Sequence, residues 1–87
     1  GRFAEASTVL RNVADQYPSD YYTNLVCGRS LQIIGMLQRN NNVLALAHKY
    51  YERAVQSNPF KAMHARNIYE QTRRQYSTPP PQTGGTP

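Results

Sequence analysis

Small and apolar residues recur at helical spacing along most of the chain. The pattern is clearest between Asn42 and Pro59, where Ala47, Tyr50, Tyr51, Ala54 and Val55 fall at i, i+3, i+4, i+7 and i+8. That spacing gathers them on one broad face of an amphipathic helix. Asn58-Pro59 predicts its end, because the proline ring crowds the helical conformation of the residue before it. An earlier helix is expected from about Phe3 to Tyr17, with Phe3, Ala6, Val9, Leu10, Val13 and Tyr17 on one face. Glu5 lies near its start, where the helix dipole favours an acid. Tyr17-Pro18-Ser19-Asp20 reads as a stop followed by a new start, with Ser19 or Asp20 as the capping residue.

The next helix is expected from about Asp20 to Asn40. Gly28 and Gly35 lie inside it, each costing about 1 kcal/mol relative to alanine. Their seven-residue separation puts both on one side, which predicts a close approach to another helix. The run Asn40-Asn41-Asn42 predicts a turn, since asparagine tolerates left-handed backbone and caps helices. After Pro59, Ala65, Ile68, Tyr69, Thr72 and Tyr76 recur at helical spacing and predict a fourth helix over about Phe60 to Tyr76. From Ser77 the chain reads STPPPQTGGTP, with no apolar periodicity. Such a composition predicts a disordered tail or linker. Pro79 to Pro81 would alternatively suit an extended left-handed helix that serves as a proline-rich ligand. The expectation is an all-α domain over residues 1–76, an antiparallel helix-turn-helix array of about four helices, followed by a tail over 77–87.

Composition sharpens this in a few respects. Removing the tail leaves about 76 residues, a size at which a core supplies only marginal stability. Seven tyrosines, no tryptophan and a hydrophobic fraction of 39% suit half-buried amphipathic packing. The formal charge of +5 favours acidic partners without bearing on the fold. A single cysteine cannot build an internal disulfide framework, and Cys27, among Leu25, Val26 and Leu31, reads as a small buried hydrophobe. No apolar run reaches the length that spans a bilayer. A signal-peptide pattern is absent too, but a fragment could have lost one, which leaves the compartment open.

The spacing A-x3-Y-x2-A-x4-P, carried by Ala47, Tyr51, Ala54 and Pro59, resembles the second helix of a tetratricopeptide (TPR) repeat, a helix-turn-helix unit of about 34 residues. Leu31, Ile34 and Gly35 stand at the matching places of the first helix, Asn42 occupies the inter-helix turn, and Gln38 stands where the family has an aromatic. A second copy precedes it: Gly1, Phe3, Ala6, Leu10, Val13 and Pro18 keep the offsets of Asn42, Leu44, Ala47, Tyr51, Ala54 and Pro59. The resemblance implies TPR-like helical hairpins in a piece of a larger repeat protein that starts in mid-repeat. The alternative is a free-standing helical bundle. Pro18 and Pro59 stand 41 positions apart against about 34 in the family. The surplus approximates two helical turns and reads as a longer first helix, with about 20° of facial drift. The last helix, with Arg66, Arg73 and Arg74, reads as the polar cap that closes a helical array.

Catalytic chemistry finds little support. Five acids are scattered without a pair on one helical face. His48 and His64 stand sixteen residues apart with no Cys or acid cluster at metal-ligand spacing. Cys27 lacks a context that would activate a thiolate, and Gly84-Gly85 does not open a helix as a phosphate loop would. The expectation is a non-enzyme with no cofactor and no metal.

Recognition is the remaining class. The resemblance implies a concave groove lined by the first helices of successive repeats. By helical phase that groove would hold Arg29, Gln32, Ile33, Met36 and Arg39 from one helix, and Met63, Arg66, Asn67, Glu70 and Arg73 from the last. Arginine offers a planar fork of donors to carboxylates and methionine adapts to irregular apolar surfaces. An acidic, partly apolar helix or peptide is the expected ligand, in a scaffold that supports assembly of a complex. The alternative is that these arginines merely solvate a small domain. Phe3 and Leu10, short of the cover that a leading helix would give, predict that the isolated piece self-associates or swaps helices unless another chain covers that face. A basic nucleic-acid-binding domain is the alternative class, weakened because the charge is spread over several helices and no helix-turn-helix reader is evident. No helix pairs a strongly basic face with bulky apolar residues, which disfavours a membrane-surface role. Phe3-x2-Ala6 through Tyr17-Pro18-Ser19 also resembles repeats common in bacterial envelope and secretion assemblies; a cytoplasmic setting is the other expectation.

Overall fold

The computed structural model describes residues 2–77. They form four α-helices: α1 (Arg2–Gln16), α2 (Tyr21–Gln38), α3 (Asn41–Ser57) and α4 (Ala62–Tyr76), with a 3-10 turn over Pro59–Lys61 between the last two. No strand occurs among the described residues, and the fold is all-α. The tail reading lies outside the described residues from position 78 onward, as does the turn placed on Gly1.

Each boundary has a local cause. Asp20 caps α2 from an extended backbone, its Oδ2 accepting from the Thr23 amide at 2.8 Å and from the Thr23 hydroxyl at 2.6 Å. Asn40 caps α3, its Oδ1 accepting from the amides of Asn42 and Val43 at 3.0 and 3.2 Å. The intervening turn is tighter than the asparagine run predicts. Arg39, not an asparagine, takes the left-handed conformation (φ 52°), and Asn41 and Asn42 already belong to α3. The amides of Arg39 and Asn40 return to Met36 O (3.2 Å) and Gly35 O (2.8 Å), closing the carbonyls left open at the end of α2. With Asn40 committed to capping, the left-handed position falls one residue earlier. Pro59 opens the 3-10 turn, so α4 begins two residues later than the apolar spacing suggested.

The hairpin of α2 and α3 is the centre of the molecule. A Cβ added to Gly28 would lie 3.2 Å from the Tyr51 nitrogen and 3.3 Å from the Ala47 oxygen, and one added to Gly35 would lie 2.8 Å from Leu44 Cγ and 3.0 Å from the Leu44 nitrogen. The paired order, Gly35 with Leu44 and Gly28 with Tyr51, makes the helices antiparallel. The predicted close approach is therefore present, and its partner is α3.

Two apolar clusters flank this seam. On one flank, Ala14 of α1 packs with Cys27, Leu31, Ala47 and Tyr50, with Leu10, Val43 and Leu46 alongside. On the other, Ala65 of α4 packs with Tyr21, Leu25, Tyr51 and Ala54, joined by Val55, Ile68 and Tyr69. Thus α2 touches all three other helices. Tyr21 meets Lys61 (Oη to backbone oxygen, 3.2 Å) and Arg29 meets Thr72, so α2 and α4 run the same way. Asn24, in the first turn of α2, is fully buried and ties down the α1–α2 turn, its Nδ2 donating to Tyr17 O at 2.9 Å and Asp20 O at 2.8 Å.

Gly28→Ala follows directly as a test. The added methyl meets main-chain atoms of α3, which cannot rotate away, and overpacking of this kind costs about 1–3 kcal/mol. Alanine returns up to about 1 kcal/mol of helix propensity. The variant is expected to be net destabilised, with Tm lowered by several degrees in a thermal melt followed by circular dichroism. An unchanged or raised Tm would mean that the seam is looser than described.

Candidate functional site

Three sides of α2 are packed, and the fourth is open. Tyr22, Val26, Arg29, Ile33 and Leu37 follow at i, i+4, i+7, i+11 and i+15, which is one stripe along a helix. Val26 is 58% exposed and Leu37 57% exposed, Ile33 is half-buried, and Tyr22 and Arg29 are exposed. An apolar row left in solvent on the best-packed helix is the most informative surface feature here.

The expected groove residues of α2 divide around this stripe. Arg29 is on it, and its Nε donates to Thr72 Oγ1 of α4 at 3.2 Å. Ile33 is on it and also borders α1. Met36 is half-buried at its edge, and Arg39 is exposed in the turn beyond. Gln32 corrects the sequence reading. It is 2% exposed and lies between α2, α3 and α4, donating from Nε2 to Tyr69 O (3.1 Å) and accepting from the Tyr51 hydroxyl (2.7 Å). One residue of helical phase, about 100°, carries it from the open stripe to the packed flank.

The α4 set splits between two surfaces. Met63, 65% exposed, and Asn67 lie on the outer side of α4, away from buried Ala65, and not beside the α2 stripe. Arg66 and Glu70 line a separate cleft of about 430 Å³ between α3 and α4, floored by Val55, Ala62, Ala65 and Tyr69 and edged by Glu52. Arg73 is engaged by Glu70, with Nη2 and Nε at 2.8 and 3.0 Å from Oε1. A second groove of about 530 Å³ runs between α1 and α2, lined by Ala6, Val9, Leu10, Ser30, Ile33 and Ile34 without a charged residue. Phe3, Val9 and Val13 of α1 are exposed beside it.

Tyr22, Val26 and Leu37 were missed by sequence reasoning. Because α2 contacts three helices it is apolar nearly all round, and periodicity alone cannot tell which stripe remains uncovered. Phe60, 99% exposed in the 3-10 turn, was missed as well. Near it, Lys61 Nζ donates to the Tyr22 hydroxyl at 2.6 Å and sits 4.4 Å from the Tyr22 ring centroid.

Cys27, His48 and Asp15 each contact other helices or the core. Cys27 is buried in the first cluster, and burial pushes its thiol up, away from the thiolate. His48 meets Tyr69 edge to face with ring centroids 6.0 Å apart. Asp15 joins α1 to α3, accepting from Arg53 Nη1 at 2.8 Å and from the Tyr50 hydroxyl at 3.0 Å. The Arg53 hydrogen bond, followed by that from Tyr50, holds its carboxyl below the usual range. Among the described residues, no three His, Cys, Asp or Glu side chains gather as metal ligands, and no helix is long and apolar enough to cross a membrane.

No protein-family model, curated protein or solved structure matches this chain.

The tyrosines give a pH prediction. Burial, reinforced by the hydrogen bond to Asp15, pushes Tyr50 up to about 12, and burial pushes Tyr51 up to about 12, from 10.0. Their neutral forms are favoured in the folded chain, so the stability they contribute is complete below pH ~10 and lost as pH rises toward 12. Tyrosinate absorbance is expected to rise in two phases, the later one coinciding with loss of helical circular dichroism. A single phase near pH 10 with helicity intact would contradict this burial.

Proposed function

We propose that this chain is a protein-recognition module, holding an acidic, partly apolar helix or extended peptide along the open side of α2 and so supporting assembly of a complex. The observation that carries this reading is the exposed stripe Tyr22–Val26–Arg29–Ile33–Leu37, an apolar row with a cation at its centre. Covering Val26, Ile33 and Leu37 removes apolar surface from water, at roughly 25 cal/mol per Å².

Arg29 supplies direction. Its Nε bond to Thr72 fixes the plane of the guanidinium before any ligand arrives, and its terminal nitrogens make no hydrogen bond among the described residues. A fork held this way loses little side-chain freedom on binding a carboxylate, and charge-assisted bonds of this kind contribute about 1.5–3 kcal/mol. The net charge of +5 adds long-range attraction for an acidic partner. The TPR-like spacing of Ala47, Tyr51, Ala54 and Pro59 supports the same reading, because recognition by such hairpins uses the face of their first helices. The alternative of nucleic-acid binding has less support, since beyond Tyr22 the apolar residues of the stripe are aliphatic, where single-strand binders present several stacked aromatics.

Selection of peptides from a random display library on the immobilised chain tests the proposal. The selected peptides are expected to combine Asp or Glu with apolar residues at helical or alternating spacing. Arg29→Glu is expected to weaken them by at least about tenfold, in line with loss of a charge-assisted bond. Val26→Ser with Leu37→Ser, at exposed positions, is expected to weaken them comparably while helicity is retained. Peptides without acids, or affinities indifferent to both variants, would refute the reading. Tighter binding of an oligothymidine with steep salt dependence would put the nucleic-acid class first.

A further inference from the structure

A second cation besides Arg29 stands on the open stripe, at its Tyr22 end. Lys61 closes the 3-10 turn before α4, its amide donating to Asn58 O at 2.9 Å and its carbonyl accepting from the Tyr21 hydroxyl at 3.2 Å. Its side chain reaches back to α2. There Nζ donates to the Tyr22 hydroxyl at 2.6 Å and lies 4.4 Å from the Tyr22 ring centroid and 5.3 Å from that of Tyr21. The two rings brace each other edge to face at 5.0 Å. A lysine tethered at its backbone and at its ammonium has already given up most of the rotamer freedom that binding would cost it. An ammonium carries three donors, and Tyr22 takes one of them. Among the described residues the ion pairs are Arg53 with Asp15 and Arg73 with Glu70, so neither Lys61 nor Arg29 is matched to an acid.

The spacing of these two cations is set by α2. Tyr22, which holds Lys61, and Arg29 stand seven residues apart on that helix. Seven residues bring the chain back to the same face about 10.5 Å further along the axis. Val26 lies between them on the stripe and is 58% exposed. The order along the surface is therefore cation, apolar, cation. Thr72 orients the Arg29 end as Tyr22 orients the Lys61 end.

That order discriminates between the two backbones a peptide can adopt. In an extended peptide, residues three apart span about 10 Å but point to opposite faces. Residues two or four apart share a face, yet span about 7 or 13 Å. In a helix, residues i and i+7 share a face at about 10.5 Å, with i+3 and i+4 between them. We infer that the partner element is an α-helix lying along α2, with acids at i and i+7 and an apolar residue at i+3 or i+4. One carboxylate meets the Arg29 fork, the other meets the Lys61 ammonium, and the apolar side chain covers Val26. This deepens the proposed role of the α2 stripe in holding an acidic partner and rests on it.

Fluorescence anisotropy with labelled synthetic helical peptides, at low ionic strength, tests the inference. One peptide carries two glutamates at i and i+7 with leucines at i+3 and i+4, a symmetric order that fits in either direction. A second has the same composition with the glutamates at i and i+11, and a third has one glutamate replaced by glutamine. The first is expected to bind about fivefold more tightly than either of the others, the upper range for an exposed ion pair. Lys61→Met keeps the aliphatic stem and removes the charge, and it is expected to erase that preference while leaving the one-glutamate peptide nearly unaffected. Lys61→Gln replaces it if circular dichroism shows lost helicity. Equal affinity for both spacings overturns the inference, as does a Lys61 variant that weakens the one- and two-glutamate peptides alike. Either result with binding still sensitive to Arg29→Glu leaves the acidic-partner reading standing. Failure of all three peptides to bind overturns both.

Discussion

The close approach of α2 and α3 at Gly28 and Gly35 is the constraint on which the rest of the structure depends. With side chains at those positions the helices would stand farther apart. The buried row of Ala47, Tyr50, Tyr51 and Ala54 would then lose its contacts with Leu31, Cys27 and Leu25. Two glycines in a helix interior weaken it by about 1 kcal/mol each. The packing along the seam offsets that cost, and it lets Tyr50 and Tyr51 reach past α2 to neighbours on opposite flanks.

Those two tyrosines translate the seam into the position of the outer helices. Tyr50 meets Asp15 of α1 through its hydroxyl, and Arg53 closes the same carboxylate. Tyr51 meets Gln32, whose amide holds the Tyr69 carbonyl of α4, and the Tyr51 and Tyr69 rings meet edge to face at 5.3 Å. Each flank thus combines an apolar cluster with a satisfied polar link that sets register, and the buried polar atoms of Gln32 are paired as their low-dielectric setting requires. The consequence for recognition is geometric. With α1, α3 and α4 on three sides, α2 can offer only one stripe outward, and Arg29 lies on it, oriented by Thr72.

Much of this arrangement was legible in the residues. The apolar spacing of α3, the capping by Asp20, the helix stop at Asn58-Pro59 and the meaning of the glycine pair all follow from local rules, because each depends on few residues at fixed offsets. What was not legible depends on several neighbours at once. Gln32 differs from an outward residue by one step of helical phase, and only the positions of α3 and α4 together make that step decisive. Arg39 takes the left-handed turn although three asparagines follow it, because Asn40 is needed as the cap of α3. The exposed stripe on α2 escaped notice for a related reason, since a helix with three packed flanks looks apolar throughout. Of the groove residues expected from phase alone, Arg29, Ile33 and Met36 lie on or beside the open stripe. Arg66 and Glu70 instead face the α3/α4 cleft, a division that depends on the lateral position of α4 against α3.

Helices α2 and α3 form one tightly packed unit to which α1 and α4 are added. Native-state hydrogen exchange, resolved by residue, tests it most directly. Amides around Gly28 to Gly35 and Ala47 to Ala54 are expected to exchange last and together, at the free energy of global unfolding, while the outer turns of α1 and α4 open earlier. Protection that is uniform over all four helices, or α4 outlasting α3, would contradict it.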